Sequence, residues 1–215
     1  MRELVELTGM VLFASPVGEY DKRLVILTRE RGKITAFARG AKRNGSTLRA
    51  AANPFVFGKF SLSEGRDAYN LYSVEVSAFF EEIARDVEQA CYASYFAEFA
   101  SYYGREGIEA GETLLLLYQS LRALLAEKVP NRLVRCIFEL KLMMLNGEYT
   151  EKPPVPCGEA ASYAWEYVVG SPSGKLYSFL LAEDALEEFS RAVDRNVKTF
   201  IDRKFRSLEV LEMLR

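Results

Sequence analysis

Over the first 80 positions, apolar residues recur in short runs with period two, the spacing of half-buried strands. Leu4 to Phe13 (LVELTGMVLF) reads as a strand with Gly9 at a bulge or sharp bend, and Ser15-Pro16-Val17-Gly18 ends it. Leu24 to Leu27 and Ile34 to Ala38 read as two more, turning at the polar Arg31-Gly32-Lys33. Phe55 to Leu62 and Ala68 to Val76 alternate again around a turn at Ser63-Glu64-Gly65-Arg66. Gly40 to Asn53 is a basic, small-residue loop, and loops of that length in compact domains tend to be functional or mobile. Five short strands predict a small closed barrel of the OB type. An SH3-like barrel fits the same period.

From Phe79 onward the period becomes helical. Ile83, Val87, Ala90, Cys91 and Ser94 share one face, and Leu114, Leu117, Leu121, Leu124 and Leu125 make the next stripe. Pro130 suits a first helical turn, with Val134, Ile137, Phe138, Leu140 and Met144 inward and Asn146-Gly147 as the stop. Glu151 to Lys175, with four prolines, is read as irregular, and Glu183 to Leu214 as a final helix. The fold class is therefore α+β in two parts. A small barrel occupies 1–79 and an all-α domain 80–215, with an irregular insert at about 148–180.

Charge follows the same division. Residues 1–80 hold 12 basic and 8 acidic side chains, a net of +4, while the remainder carries 16 against 22, a net of −6. Nine basic residues fall between Tyr20 and Arg49, against Asp21 and Glu30. Because apolar strands run through them, they belong to a folded surface that can hold a phosphate backbone; the plainer reading is a solvated lysine- and arginine-rich face. The chain has no histidine, which removes histidine-based nucleophilic catalysis and the commonest metal ligand. Nothing in the spacing of the carboxylates points to an enzyme.

Other motifs carry less. Three separated cysteines, Cys91, Cys136 and Cys157, imply no disulfide framework. Gly170-Ser-Pro-Ser-Gly174-Lys175-Leu176 lacks the spacing and the hydroxyl of a phosphate loop and reads as a turn. The longest apolar run, Leu114 to Tyr118, is far too short to span a bilayer, and acids stand where a signal peptide would be apolar, so a cytoplasmic protein is expected. Of the barrel aromatics Phe37, Phe55, Phe57, Phe60, Tyr69 and Tyr72, most are expected to fill the interior, leaving one or two for base stacking.

Gly9-Met-Val-Leu, Gly18-Glu-Tyr-Asp21, Leu27-Thr-Arg-Glu-Arg-Gly-Lys33, Ala38-Arg-Gly-Ala-Lys-Arg43, Leu48-Arg49 and Asn53-Pro54-Phe55 occur in that order, and Phe205-Arg-Ser-Leu-Glu-Val-Leu211 closes the chain. Together they resemble the RecO family of recombination mediators. The resemblance implies an N-terminal OB-fold, a helical domain, and a non-enzymatic protein that binds single- and double-stranded DNA and anneals complementary strands. It also implies action on DNA covered by single-strand-binding protein and, with the partner RecR, loading of RecA, in the cytoplasm at the nucleoid. The family often carries a four-cysteine zinc module; here only Cys157 stands at a ligand position, with Pro154, Tyr177 and Leu180 at the others, so no metal or other cofactor is expected.

Arg29, Arg31, Lys33, Arg39, Lys42, Arg43 and Arg49 are the expected phosphate contacts, with Lys22 and Arg23 next. An acidic tail of the single-strand-binding protein asks for an apolar pocket with a basic rim, for which Arg122, Lys128, Arg132 and Arg135 are candidates. Two other readings fit the charge pattern: an RNA-binding barrel, and a protein-interaction scaffold without nucleic acid.

Overall fold

A computed structural model describes residues 3–213, and the chain divides into two compact units, 1–81 with 100–114, and 82–99 with 115–215. In the first unit, β1 (Leu4–Val17), β2 (Asp21–Thr28), β3 (Gly32–Ala38), β4 (Phe57–Glu64) and β5 (Tyr69–Ala78) close a barrel in the order β1-β2-β3-β5-β4. The pairing of β3 with β5 is parallel, through Ala36–Tyr69 and Phe37–Asn70, and β1 closes the barrel on β4. This is the OB arrangement, and it leaves the SH3-like alternative behind.

Local sequence explains how one strand serves two neighbours. Gly9 of β1 pairs with Thr28 on one side and Gly58 on the other, and a side chain there would press on the Leu27 carbonyl oxygen at 2.6 Å. A register shift between Val11 and Phe13 follows, so the bend expected at Gly9 is realised as a close approach with a neighbouring bulge. Contrary to the sequence reading, β1 does not stop at Phe13. Ser15, Pro16 and Val17 pair with Arg23, Lys22 and Asp21, because a proline near a hairpin end forfeits only one donor.

The barrel interior gathers Leu7, Val11, Leu24, Ile26, Ile34, Ala36, Phe60, Leu62, Tyr69 and Leu71. Ala41, Leu48 and Ala52 join the same cluster, so the 40–53 loop is pinned to the barrel through a short helix, α1 (Leu48–Ala51). Of the six barrel aromatics, most of which were expected to fill the interior, only Phe60 and Tyr69 are buried. Phe37, Phe55 and Phe57 are half-buried, and Tyr72 is exposed.

Residues 100–114 complete this unit, beyond the domain boundary expected at residue 79. Residues 105–110 of that segment lie along the β2–β3 turn: Lys33 N–H donates to the Arg105 carbonyl (3.2 Å), Gly107 N–H to that of Arg31 (3.0 Å) and Ala110 N–H to that of Arg29 (2.9 Å).

The second unit holds α2 (Val87–Tyr103) up to Phe99, α3 (Gly111–Ala126) from Leu115, α4 (Asn131–Leu145), α5 (Glu159–Gly170), α6 (Glu183–Phe200) and α7 (Arg206–Met213). Every residue from Leu133 to Met143 is buried, so α4 is a central helix. Tyr92, Tyr95, Phe96, Phe99, Phe138 and Phe205 form an aromatic core, with Phe96 and Phe138 rings 4.3 Å apart.

Three helical expectations are corrected. The inward face of α2 is not Val87, Ala90, Cys91 and Ser94, since Val87 is 66% exposed; Tyr92, Tyr95, Phe96 and Phe99 face in. Apolar residues lie on nearly all sides of this helix, so its period alone did not fix its phase. The insert read as irregular contains α5, whose alanine-rich sequence is helical between flanking prolines. The final helix is two, broken at Ile201–Phe205, where Phe205 packs against Tyr95 and Phe99; Leu214, its expected end, lies outside the described residues.

Candidate nucleic-acid interface

The nine cations named above lie on β2, in the β2–β3 turn with the start of β3, and in the segment that follows β3 as far as α1, and the fold sorts them into two groups. The first sits at the β2–β3 turn and is already engaged. Arg31 donates to Glu64 and to the Tyr69 hydroxyl (2.9 Å), and Lys33 Nζ donates to the Ser101 carbonyl at 2.5 Å. Arg29 is exposed but its side chain runs beside Gly111. Segment 104–110 thus covers the turn that the sequence offers as a phosphate-holding fingertip. Gly32 itself is buried.

The second group surrounds the 39–49 loop and stays open. Arg23, Arg39, Lys42, Arg43 and Arg49 are exposed. Lys22 Nζ donates to the Ala52 carbonyl (3.1 Å) and Asn53 Oδ1 (2.8 Å), fastening the end of the loop. Arg39 Nε donates to Asn70 Oδ1 (3.3 Å), and Arg49 to Asn44 Oδ1 (3.4 Å), contacts that orient each guanidinium without neutralising it.

The Asp21 carboxylate beside the loop serves the backbone. Asp21 accepts the Gly40 N–H at 2.7 Å, and Gly40, with φ +66°, supplies the left-handed residue that starts the loop. The loop backbone is therefore set while its cations project. Their mutual repulsion registers at Lys22: partial burial pushes its ammonium below the ordinary lysine value, and Arg49 and then Lys42 push it further. A phosphate near these three groups relieves that repulsion.

Two residues of this surface were missed from sequence. Tyr20, in the β1–β2 connection, is 43% exposed, with the Arg43 guanidinium over its ring at 5.0 Å. Arg66, in the β4–β5 connection, projects into solvent. In OB barrels both connections border the face used for oligonucleotides. The signal for Tyr20 was the Gly18-Glu-Tyr-Asp21 turn itself.

The four cations assigned to a partner surface also separate. Arg122 and Lys128 are exposed and Arg132 is half-exposed, but Arg135 is 8% exposed and donates to Asp194 Oδ1 at 2.6 Å, beside Glu139. Arg135 is a core residue, and the rim role is withdrawn for it. Alternation on a helix that is buried all round gave no warning of this.

The family described as "Recombination protein O N terminal" matches residues 1–80, and "Recombination protein O C terminal" matches 84–151. The chain belongs to the recombination protein O, or RecO, family. Among curated RecO relatives, the "DNA repair protein RecO" of Alkaliphilus metalliredigens is 34% identical over 169 residues, covering 76% of this chain and 67% of its own. That of Acetivibrio thermocellus is 25% identical over 241 residues, 96% of each chain, and that of Clostridium perfringens 25% over 243 residues, 99% of each. RecO membership supports a role in DNA repair. No helix among the described residues is long and apolar enough to cross a membrane.

At the positions that the resemblance assigns to a zinc module, the residues do not fit the metal. A tetrahedral site takes four sulfur, nitrogen or carboxylate ligands. Here Cys157 Sγ lies 3.4 Å from the Val155 carbonyl and 3.8 Å from that of Glu188, the Tyr177 hydroxyl is on Ser120 Oγ at 2.5 Å, and Leu180 is exposed. No group of three or more histidine, cysteine or acidic side chains that could hold a metal is found among the described residues.

Proposed function

We propose that this protein is a repair and recombination mediator that binds single- and double-stranded DNA through the open cations of the 39–49 loop and anneals complementary strands. It works on DNA covered by single-strand-binding protein and, with RecR, assists RecA loading at the nucleoid. It does this without a catalytic step and without a metal. The observation that carries the reading is the joint exposure of Arg23, Arg39, Lys42, Arg43 and Arg49 on an OB barrel, around a loop whose backbone Asp21 and Lys22 fasten. Contacts of this kind read the backbone rather than the bases, as annealing of arbitrary sequences requires. In the helical unit, a recess lined by Gln119, Arg122, Lys175 and Tyr177 supplies a basic rim suited to the acidic tail of the single-strand-binding protein.

Titration of a fluorescent single-stranded oligonucleotide at several salt concentrations tests this. Binding weakens steeply with salt, and Arg39→Glu/Lys42→Glu/Arg43→Glu binds far more weakly, with the slope of log K against log salt reduced by about 2, from ~0.7 per lost phosphate contact. Equal binding by both proteins removes the loop as the site. No binding by wild type at low salt turns the reading into a protein scaffold, and tight RNA binding without strand annealing turns it into an RNA module.

Lys22 gives a second, independent readout. Its lowered pKa returns toward the ordinary value of about 10.4 when a phosphate arrives, so binding takes up protons between the two values. Affinity therefore declines as pH rises through that window. Calorimetry in buffers of different ionisation enthalpy measures the uptake, and Lys22→Arg, which keeps its charge, abolishes it. Unchanged uptake in Lys22→Arg disproves the assignment.

A further inference from the structure

We infer that the free face of Tyr20 is a seat for one unpaired nucleobase, which lets this surface favour single strands over duplex. The inference rests on the proposed DNA-binding role of the same loop and names the part of the ligand that Tyr20 takes.

The observations are geometric. Arg43 lies over the Tyr20 ring at 5.0 Å, so the ring is backed by a guanidinium while the residue remains 43% exposed. Its backbone is fixed, because Tyr20 O accepts the Lys42 N–H at 2.8 Å. Gly18, with φ +57° and no atom near its Cα substituent position, turns the β1–β2 connection so that Tyr20 meets the basic loop. Tyr20, Lys42, Arg43 and Asn44 line an open recess of ≈ 390 Å³, a size found in small-molecule sites.

Each group then has a task. A flat base stacks on the exposed side of the ring, which is already held by Arg43 and so loses little freedom on binding. Lys42 stands in the same recess to meet the adjoining phosphate, and the Asn44 amide offers a donor and an acceptor to base edges of either kind. In a duplex each base is stacked on both faces, and the ring finds no partner. The phosphate contacts are common to both forms; the stack is confined to single strands. A single seat of this kind leaves the remaining bases free to pair with an incoming strand.

The test uses the full chain with Tyr20→Ala and Tyr20→Phe, a fluorescent oligothymidylate, a duplex of equal length, and an oligothymidylate carrying one 2-aminopurine. Tyr20→Ala binds the single strand about 10-fold more weakly, as expected for loss of one stack, with duplex affinity and salt slope unchanged. Tyr20→Phe behaves as wild type, and 2-aminopurine is quenched by wild type and Tyr20→Phe but not by Tyr20→Ala. Equal single-strand binding by Tyr20→Ala and wild type overturns the seat and leaves the DNA-binding reading intact. Parallel losses on single strand and duplex also overturn it, by assigning Tyr20 to support of Arg43. Absence of wild-type binding to either DNA overturns both.

Discussion

Replacing Arg135 by alanine is expected to destabilise the helical unit by about 3–5 kcal/mol, the cost of leaving a buried charge without its partner. Arg135 lies on the central helix α4, donating to Asp194 at 2.6 Å, with its Nε 3.6 Å from the fully buried Glu139. Glu139 in turn accepts the Tyr95 hydroxyl at 2.6 Å. Burial pushes the Glu139 carboxyl up, and Arg135 is the main influence holding it down. Removing the guanidinium leaves burial opposed only by the Tyr95 hydrogen bond.

The pH dependence of that variant follows from the sign of the shift. A carboxyl whose folded pKa lies above its unfolded value of about 4.3 favours the fold when protonated, and that contribution is lost as pH rises through the folded pKa. The stability deficit of Arg135→Ala is therefore smallest in acid and largest at neutral pH. A companion variant, Arg135→Met/Glu139→Gln, keeps volume and an acceptor for Tyr95 while removing both charges, and recovers more than half of the loss. Urea unfolding at pH 4 and pH 7 measures both. If the double variant is no better than the single one at pH 7, the cost comes from lost packing and not from the stranded carboxylate.

Gly32→Ala is expected to disrupt the barrel unit by on the order of 3 kcal/mol or more, combining backbone strain with a clash. Gly32 has φ +64°, and a Cβ there would overlap the carbonyl oxygens of Arg105 and Ile108. Both contacts are backbone, so no side chain can swing aside. Segment 105–108 must move, breaking the Lys33–Arg105 and Gly107–Arg31 hydrogen bonds. Gly18→Ala is the control, since its φ of +57° carries the same strain with nothing within 4 Å of the new methyl, and it costs about 1 kcal/mol. Thermal unfolding of the two variants separates the effects. Equal losses would mean that the turn is not clamped by the segment.

Sequence alone determined that the barrel has five strands and about where they lie, because period-two alternation buries one face, but not their ends: β4 runs Phe57–Glu64 rather than Phe55–Leu62, and β5 Tyr69–Ala78. It also determined the position of the basic loop, and its ordered motifs marked the family. The strand order, with β3 beside β5, came from tertiary structure, since short alternating runs do not encode which neighbour they pair with. The phase of α2 was likewise undetermined: a helix apolar on most sides is oriented by what packs around it, here the Phe96–Phe138 contact. Prolines flanking residues 159–170 hid α5, and no glycine or proline announced the break before α7, where Phe205 packs against Tyr95 and Phe99.

The same division holds for the site. Charge counts found the cations but could not tell a free one from a committed one, because commitment depends on residues far along the chain. Arg31 is engaged by Glu64 and Tyr69, Lys33 by Ser101, and Arg135 by Asp194. Sequence determined that this protein concentrates positive charge between Tyr20 and Arg49. The fold decided which of those charges face solvent together, and it brought Tyr20 to Arg43 across 23 positions of chain, because only folding sets the low-dielectric contacts and exposures that give each charge its role.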